Sequence, residues 1–126
     1  MSSIITSKLT LSGTGITSDA LSITQSADIV ITTPAVESGT LILTSTSIAT
    51  PLLPINATNR SLLYVKNTGS VGVSPNISLK TAGAVNFADI APGEWLFMPV
   101  TTNLAINAFL VTSGSSTLEY SYFSAA

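Results

Sequence analysis

Thr117-Leu118-Glu119-Tyr120-Ser121-Tyr122 is the stretch whose reading decides the fold. Side chains of an extended chain alternate between its two faces. Leu118, Tyr120 and Tyr122 therefore share one side, and Thr117, Glu119 and Ser121 share the other. One side suits a core and the other suits water, so the segment predicts a strand with a single buried face.

The same alternation recurs along the chain. Leu9 and Leu11 alternate with Lys8 and Thr10, and Leu21 and Ile23 with Ser22 and Thr24; Ile29 and Ile31, then Leu41 and Leu43, continue it. In the second half Leu63 and Val65 alternate with Tyr64 and Lys66, and Ile77 and Leu79 with Ser78 and Lys80. No window carries the i, i+3, i+4, i+7 apolar stripe of an amphipathic helix, and Val, Ile, Thr and aromatic residues dominate, which suit a pleated sheet.

Turn signals cut the chain at Ser12-Gly13-Thr14-Gly15, Glu37-Ser38-Gly39, Asn67-Thr68-Gly69, Thr81-Ala82-Gly83, Ala91-Pro92-Gly93 and Ser113-Gly114-Ser115. In Ala91-Pro92-Gly93-Glu94 proline presets φ at one corner and glycine accepts a positive φ at the next, which predicts a type II turn. About eight to ten short strands at this spacing predict an all-β, single-domain antiparallel sandwich, jelly-roll-like, over residues 1–126. Residues 49–60 contain Pro51 and Pro54, which deny a central strand, so a long connection crossing between sheets is expected there. Residues 1–8 are expected to form an N-terminal arm lying on a neighbour.

Composition narrows the chemistry. The 126 residues include four Lys or Arg, six Asp or Glu, no His and no Cys, while 19 Ser and 18 Thr supply nearly a third of the chain. Without imidazole or thiol there is no Ser-His-Asp or Cys-His nucleophile, no Cys/His zinc site and no disulfide. Lys8, Arg60, Lys66 and Lys80 are scattered and offer no patch for a phosphate backbone, so no nucleic-acid partner is expected. The longest apolar run, Trp95 to Val100, falls far short of the ~20 residues of a spanning helix, and no signal peptide is visible, so no membrane partner is expected.

The remaining candidates are few. Asp89 and Glu94 flank the proline-glycine turn, but charged residues beside a tight turn ordinarily form its solvated tip. The acidic residues Asp19, Asp28, Glu37, Asp89, Glu94 and Glu119 lack calcium-loop spacing, and no cofactor, metal or catalytic residue is assigned. Asn56, Asn59 and Asn76 match the glycosylation pattern, which arises readily in a chain so rich in Ser and Thr. Tyr64 is the one tyrosine on the polar side of its strand.

Scarcity of charge is the more informative feature. Ten charges leave a surface that resists self-association poorly, which points to coverage by copies of the same chain or by a partner. Trp95 to Val100 and Leu104 to Val111 are apolar on both faces, as strands are when they lie either in the middle of a sandwich or at a contact between subunits. The expected interface residues are Ile4 and Ile5 in the arm and Trp95, Phe97, Met98 and Phe109 in these segments.

The order Tyr64-Val65-Lys66-Asn67-Thr68-Gly69, Asn76-Ile77-Ser78-Leu79-Lys80, Phe87-Ala88-Asp89-Ile90-Ala91-Pro92-Gly93-Glu94-Trp95 and Thr117-Leu118-Glu119-Tyr120-Ser121-Tyr122-Phe123 resembles small β-sandwich virion proteins of tailed bacteriophages. The resemblance covers roughly residues 61 to 123. It implies a jelly-roll-like fold, a homotrimer, and a non-enzymatic capsid decoration or cement protein. Such a protein is made in the host cytoplasm, sits on the outer capsid surface and has the major capsid protein as its partner. Related sandwiches in tail fibres imply the alternative of a receptor-binding module for a host-surface glycan. The resemblance carries no catalytic residue.

Overall fold

Strands with one apolar side must stack that side on a second sheet. The computed structural model describes residues 3–14, 21–83 and 85–125, with the backbone alone for 32–37, and among them it contains nine strands and no helix. In chain order these are β1 (Ser3–Gly13), β2 (Leu21–Leu43), β3 (Thr50–Leu53), β4 (Ser61–Asn67), β5 (Ile77–Thr81), β6 (Asn86–Ile90), β7 (Trp95–Val100), β8 (Ile106–Leu110) and β9 (Ser116–Ala125). They form one antiparallel sheet ordered β1-β2-β9-β4-β7 and a second ordered β3-β8-β5-β6.

From β2 onward that order is a jelly roll. Only β5 and β6 are consecutive neighbours within a sheet; every other connection after β2 crosses from one sheet to the other. The core lies between the sheets. Leu63 and Val65 of β4, Leu118 of β9, Ile77 and Leu79 of β5, and Ile106 and Ala108 of β8 are all fully buried in it. Each large aliphatic side chain buried in this way contributes about 1.5–3 kcal/mol. Tyr120 and Tyr122 join the same cluster, as the alternation of the 117–122 stretch predicts, with stacked rings 6.4 Å apart.

The turns follow their chemistry. Gly93 adopts φ 89° and the Glu94 amide donates to the Ala91 carbonyl at 2.9 Å, the type II turn expected from Pro92-Gly93. Asn67 ends β4 as a fully buried amide. Its Nδ2 donates to the Ile90 carbonyl at 2.9 Å and the Pro75 carbonyl at 3.3 Å, while its Oδ1 accepts from the Gly69 amide and the Ser116 hydroxyl, both at 2.9 Å. Its backbone amide donates to Glu94 O and its carbonyl accepts from Gly93 N. Side chain and backbone together, this one residue ties both sheets to the turn that launches β7.

Three sequence expectations are corrected. Glu37-Ser38-Gly39 is no turn: β2 runs through it because residues 37–43 pair with β9, from Glu37↔Tyr122 to Leu43↔Ser116. Residues 3–8 are not a free arm but the first part of β1, laddered to β2 from Ser3↔Ile31 onward. Within 49–60, residues 50–53 form β3 against β8; Pro51 is accommodated because β3 is an edge strand, and the ladder slips between Pro51 and Leu53. The crossing connection is therefore 54–60, held by Asn56, whose Oδ1 accepts from the amides of Thr58 and Asn59. Gly15 and Asp19 lie outside the described residues, as does the side chain of Glu37.

Candidate functional site

β2 serves two structures. Its residues 37–43 belong to the sandwich, while residues 21–31 pair with β1 over eleven positions to make a hairpin. Between them the β2–β9 ladder slips twice, between Ile31 and Thr33 and between Thr33 and Glu37. Such irregularities bend a strand, and here the bend lays the hairpin over the outer face of the larger sheet.

The register explains why the hairpin sits there. Cross-strand pairing puts Ile5 beside Ile29, Ser7 beside Ala27, Leu9 beside Gln25 and Leu11 beside Ile23, so one hairpin face is mostly apolar and carries no charge. The opposite face carries Thr6, whose hydroxyl donates to Asp28 Oδ1 at 2.8 Å, and Lys8 paired with Ser26. On the sheet, residues alternating with the core positions point outward: Leu62 and Tyr64 on β4, Trp95 and Phe97 on β7, Ser121 and Phe123 on β9. Ile5 and Ile29 pack with Phe97 and Phe123 around the fully buried Leu62, Ile31 and Ala125. This second cluster, outside the sandwich, anchors the hairpin.

Beyond the anchor the two surfaces part into an open groove. One section of about 300 Å³ is lined by Ser7 and Lys8 from the hairpin and by Tyr64, Trp95 and Ser121 from the sheet. A second section of about 520 Å³ continues between Leu9 and Leu11 and the Gly93–Phe97 segment. Leu9, Leu11 and Ile23 remain 38–46% exposed and Trp95 remains 53% exposed. The Tyr64 hydroxyl donates to Glu119 Oε1 at 3.0 Å. Partial burial, then that hydrogen bond and the carboxylate charge, raise the Tyr64 pKa above its ordinary value, so the phenol stays neutral.

Of the expected interface residues, the structure brings Ile5, Trp95 and Phe97 together in this groove. Ile4 is exposed on the opposite face of the hairpin. Met98 points inward against the core, and Phe109 lies on the outer face of the smaller sheet with Lys80 Nζ 4.6 Å from its ring centre. Sequence reasoning missed Leu62 and Phe123. The signal for both is an apolar residue on the outward register of a strand whose inward positions are already apolar.

The acidic residues beside the turn are held locally: Glu94 Oε1 accepts from the Ala91 amide at 2.8 Å, and Asp89 Oδ1 accepts from Asn86 Nδ2 at 3.3 Å. Among the described residues no group of three or more His, Cys, Asp or Glu is placed to hold a metal ion. No protein-family model matches the chain, and no curated protein matches it in sequence. Fold and groove together define a class: a jelly-roll β-sandwich carrying an amphipathic hairpin across the outside of one sheet.

Proposed function

We propose that this protein is a non-enzymatic structural component of a virus particle that self-associates and decorates the capsid, bridging coat subunits. The observation that carries the reading is its uncovered apolar surface. Fourteen large hydrophobic side chains are exposed among the described residues, more than the ten charged residues in the whole chain. The chain presents 7345 Å² to solvent, above the roughly 6,000 Å² of a compact monomer of this mass. Low charge with exposed apolar groups is the surface of a protein meant to be covered. A cement protein draws its free energy from many such contacts repeated by symmetry. The motif order from Tyr64-Val65-Lys66-Asn67 to Leu118-Glu119-Tyr120 supports the phage assignment, and the trimer is proposed on the same resemblance.

A second reading, a tail-fibre module binding a host-surface glycan, is favoured by the half-exposed Trp95 beside Glu94 and the Tyr64–Glu119 pair, an aromatic ring with polar groups at its rim. Copy number separates the two. Quantitative mass spectrometry of purified particles is expected to give hundreds of copies of this chain per particle; a few dozen or fewer would move it to the tail and overturn the capsid reading.

A further inference from the structure

We propose that in the assembled protein the β1–β2 hairpin lies on the outer face of a second copy, each chain completing its neighbour's groove. The inference rests on the self-association proposed above and specifies the element that performs it.

Three observations carry it. The first is mechanical. Both halves of β2 are fully laddered, residues 21–31 to β1 and residues 37–43 to β9, and the irregular pairing is confined between them. Pro34, which has no amide hydrogen to give a ladder, falls in that interval. A rotation there re-aims the hairpin and keeps the β1 ladder of residues 21–31 and the β9 ladder of residues 37–43, giving up only the Ile31↔Ala125 and Thr33↔Ser124 pairs. The second is complementarity. The contact face of the hairpin, from Ile5 through Leu9 and Leu11 to Ile23 and Ile29, contains no charged residue, and Lys8 is the one charged hairpin residue that lines the groove section beside it. Its receiving surface of Leu62, Phe97 and Phe123 is identical on every copy, so exchange reuses a contact that already exists rather than requiring a new one.

The third is area. Eleven paired positions at about 3.3 Å, two strands wide at about 4.8 Å each, give a hairpin face of about 350 Å². Covering it hides both surfaces, about 700 Å² per contact, and a closed ring of three copies, the proposed number, makes three such contacts, about 2,100 Å² in all, each at the small end of specific interfaces. A hairpin folded on its own chain hides the same area without joining anything, so exchange turns a contact within one chain into one between chains.

Ser7 and Ser121 line the groove from its two sides, and the chain has no native cysteine. Ser7→Cys and Ser121→Cys are therefore made in separate chains of different mass, dissociated, mixed and reassembled, then treated with a short bismaleimide. A cross-linked pair joining the two variants is expected, and its yield falls when the protein is diluted below its association range. The double variant in a single chain is the control. If it closes internally while the mixture gives no mixed pair, and the protein still sediments as an oligomer, exchange is overturned and self-association stands. If the protein is a monomer at every concentration, both fall.

Discussion

On the inner face of the larger sheet Leu63, Val65 and Leu118 are fully buried in one cluster with the opposing sheet, whereas on its outer face Tyr64, Ser121 and Phe97 line an open groove. The two faces share backbone, register and neighbours and differ in what covers them. A whole four-stranded sheet closes the inner face, while two strands of a hairpin close part of the outer one. On the inner side burial within a single chain is complete at Leu63, Val65 and Leu118 and partial at Leu41, Leu96 and Met98. On the outer side, among the described residues, Leu62, Ile31 and Ala125 form the buried cluster, and Trp95 stays exposed. Apolar surface left over in this way is where association has most to gain.

Substitutions can break or sharpen that contrast. The largest effect belongs to Asn67 at the end of the inner register. Asn67→Ala strands the Ile90 carbonyl, the Gly69 amide and the Ser116 hydroxyl, each costing about 1–3 kcal/mol when buried without a partner, so urea denaturation is expected to show a loss of about 3–5 kcal/mol or no folded state. Next comes the pair that compares the faces directly. Leu63→Ala is expected to cost about 3–4 kcal/mol at any protein concentration, as a cavity in a closed core does. Leu62→Ala is expected to cost about 2–3 kcal/mol and also to weaken self-association, so its thermal shift relative to the parent grows with protein concentration. Equal, concentration-independent losses at both sites would erase the distinction.

The smallest effect is at Tyr64. Its raised pKa means that the folded state holds the phenolic proton more tightly than the unfolded chain does. That contribution is fully present below the ordinary tyrosine value of about 10 and is lost as pH rises through the folded value. Tyr64→Phe is expected to reduce the fall in stability on the alkaline side and leave the neutral range nearly unchanged, read by thermal melts across that interval.

Much of the sandwich was legible because its code is local. Alternation at Leu63/Val65, Ile77/Leu79 and Leu118/Tyr120/Tyr122 placed the inward faces, and Pro92-Gly93 fixed its turn. Glu37-Ser38-Gly39 misled because pairing with β9 overrides a local turn preference, and the 50–53 strand was hidden because an edge tolerates a proline that a central strand does not. The groove was half legible. Trp95 and Phe97 stood out as aromatics in a strand apolar on both sides. That Ile5 reaches them depends on a bend in β2, a long-range fact that no period of two encodes. Leu9 and Leu11 alternate just as Leu63 and Val65 do, and only the tertiary arrangement shows that their apolar face meets the outside of a sheet rather than the core.

The central claim is that the outer face is completed by another copy. Sedimentation equilibrium of the purified chain across the micromolar range tests it most directly. We expect a reversible oligomer with a mass close to a multiple of 12.9 kDa, three being the proposed number, that shifts toward monomer when Phe97 is replaced by Ser. A single species of 12.9 kDa at every concentration would contradict the account.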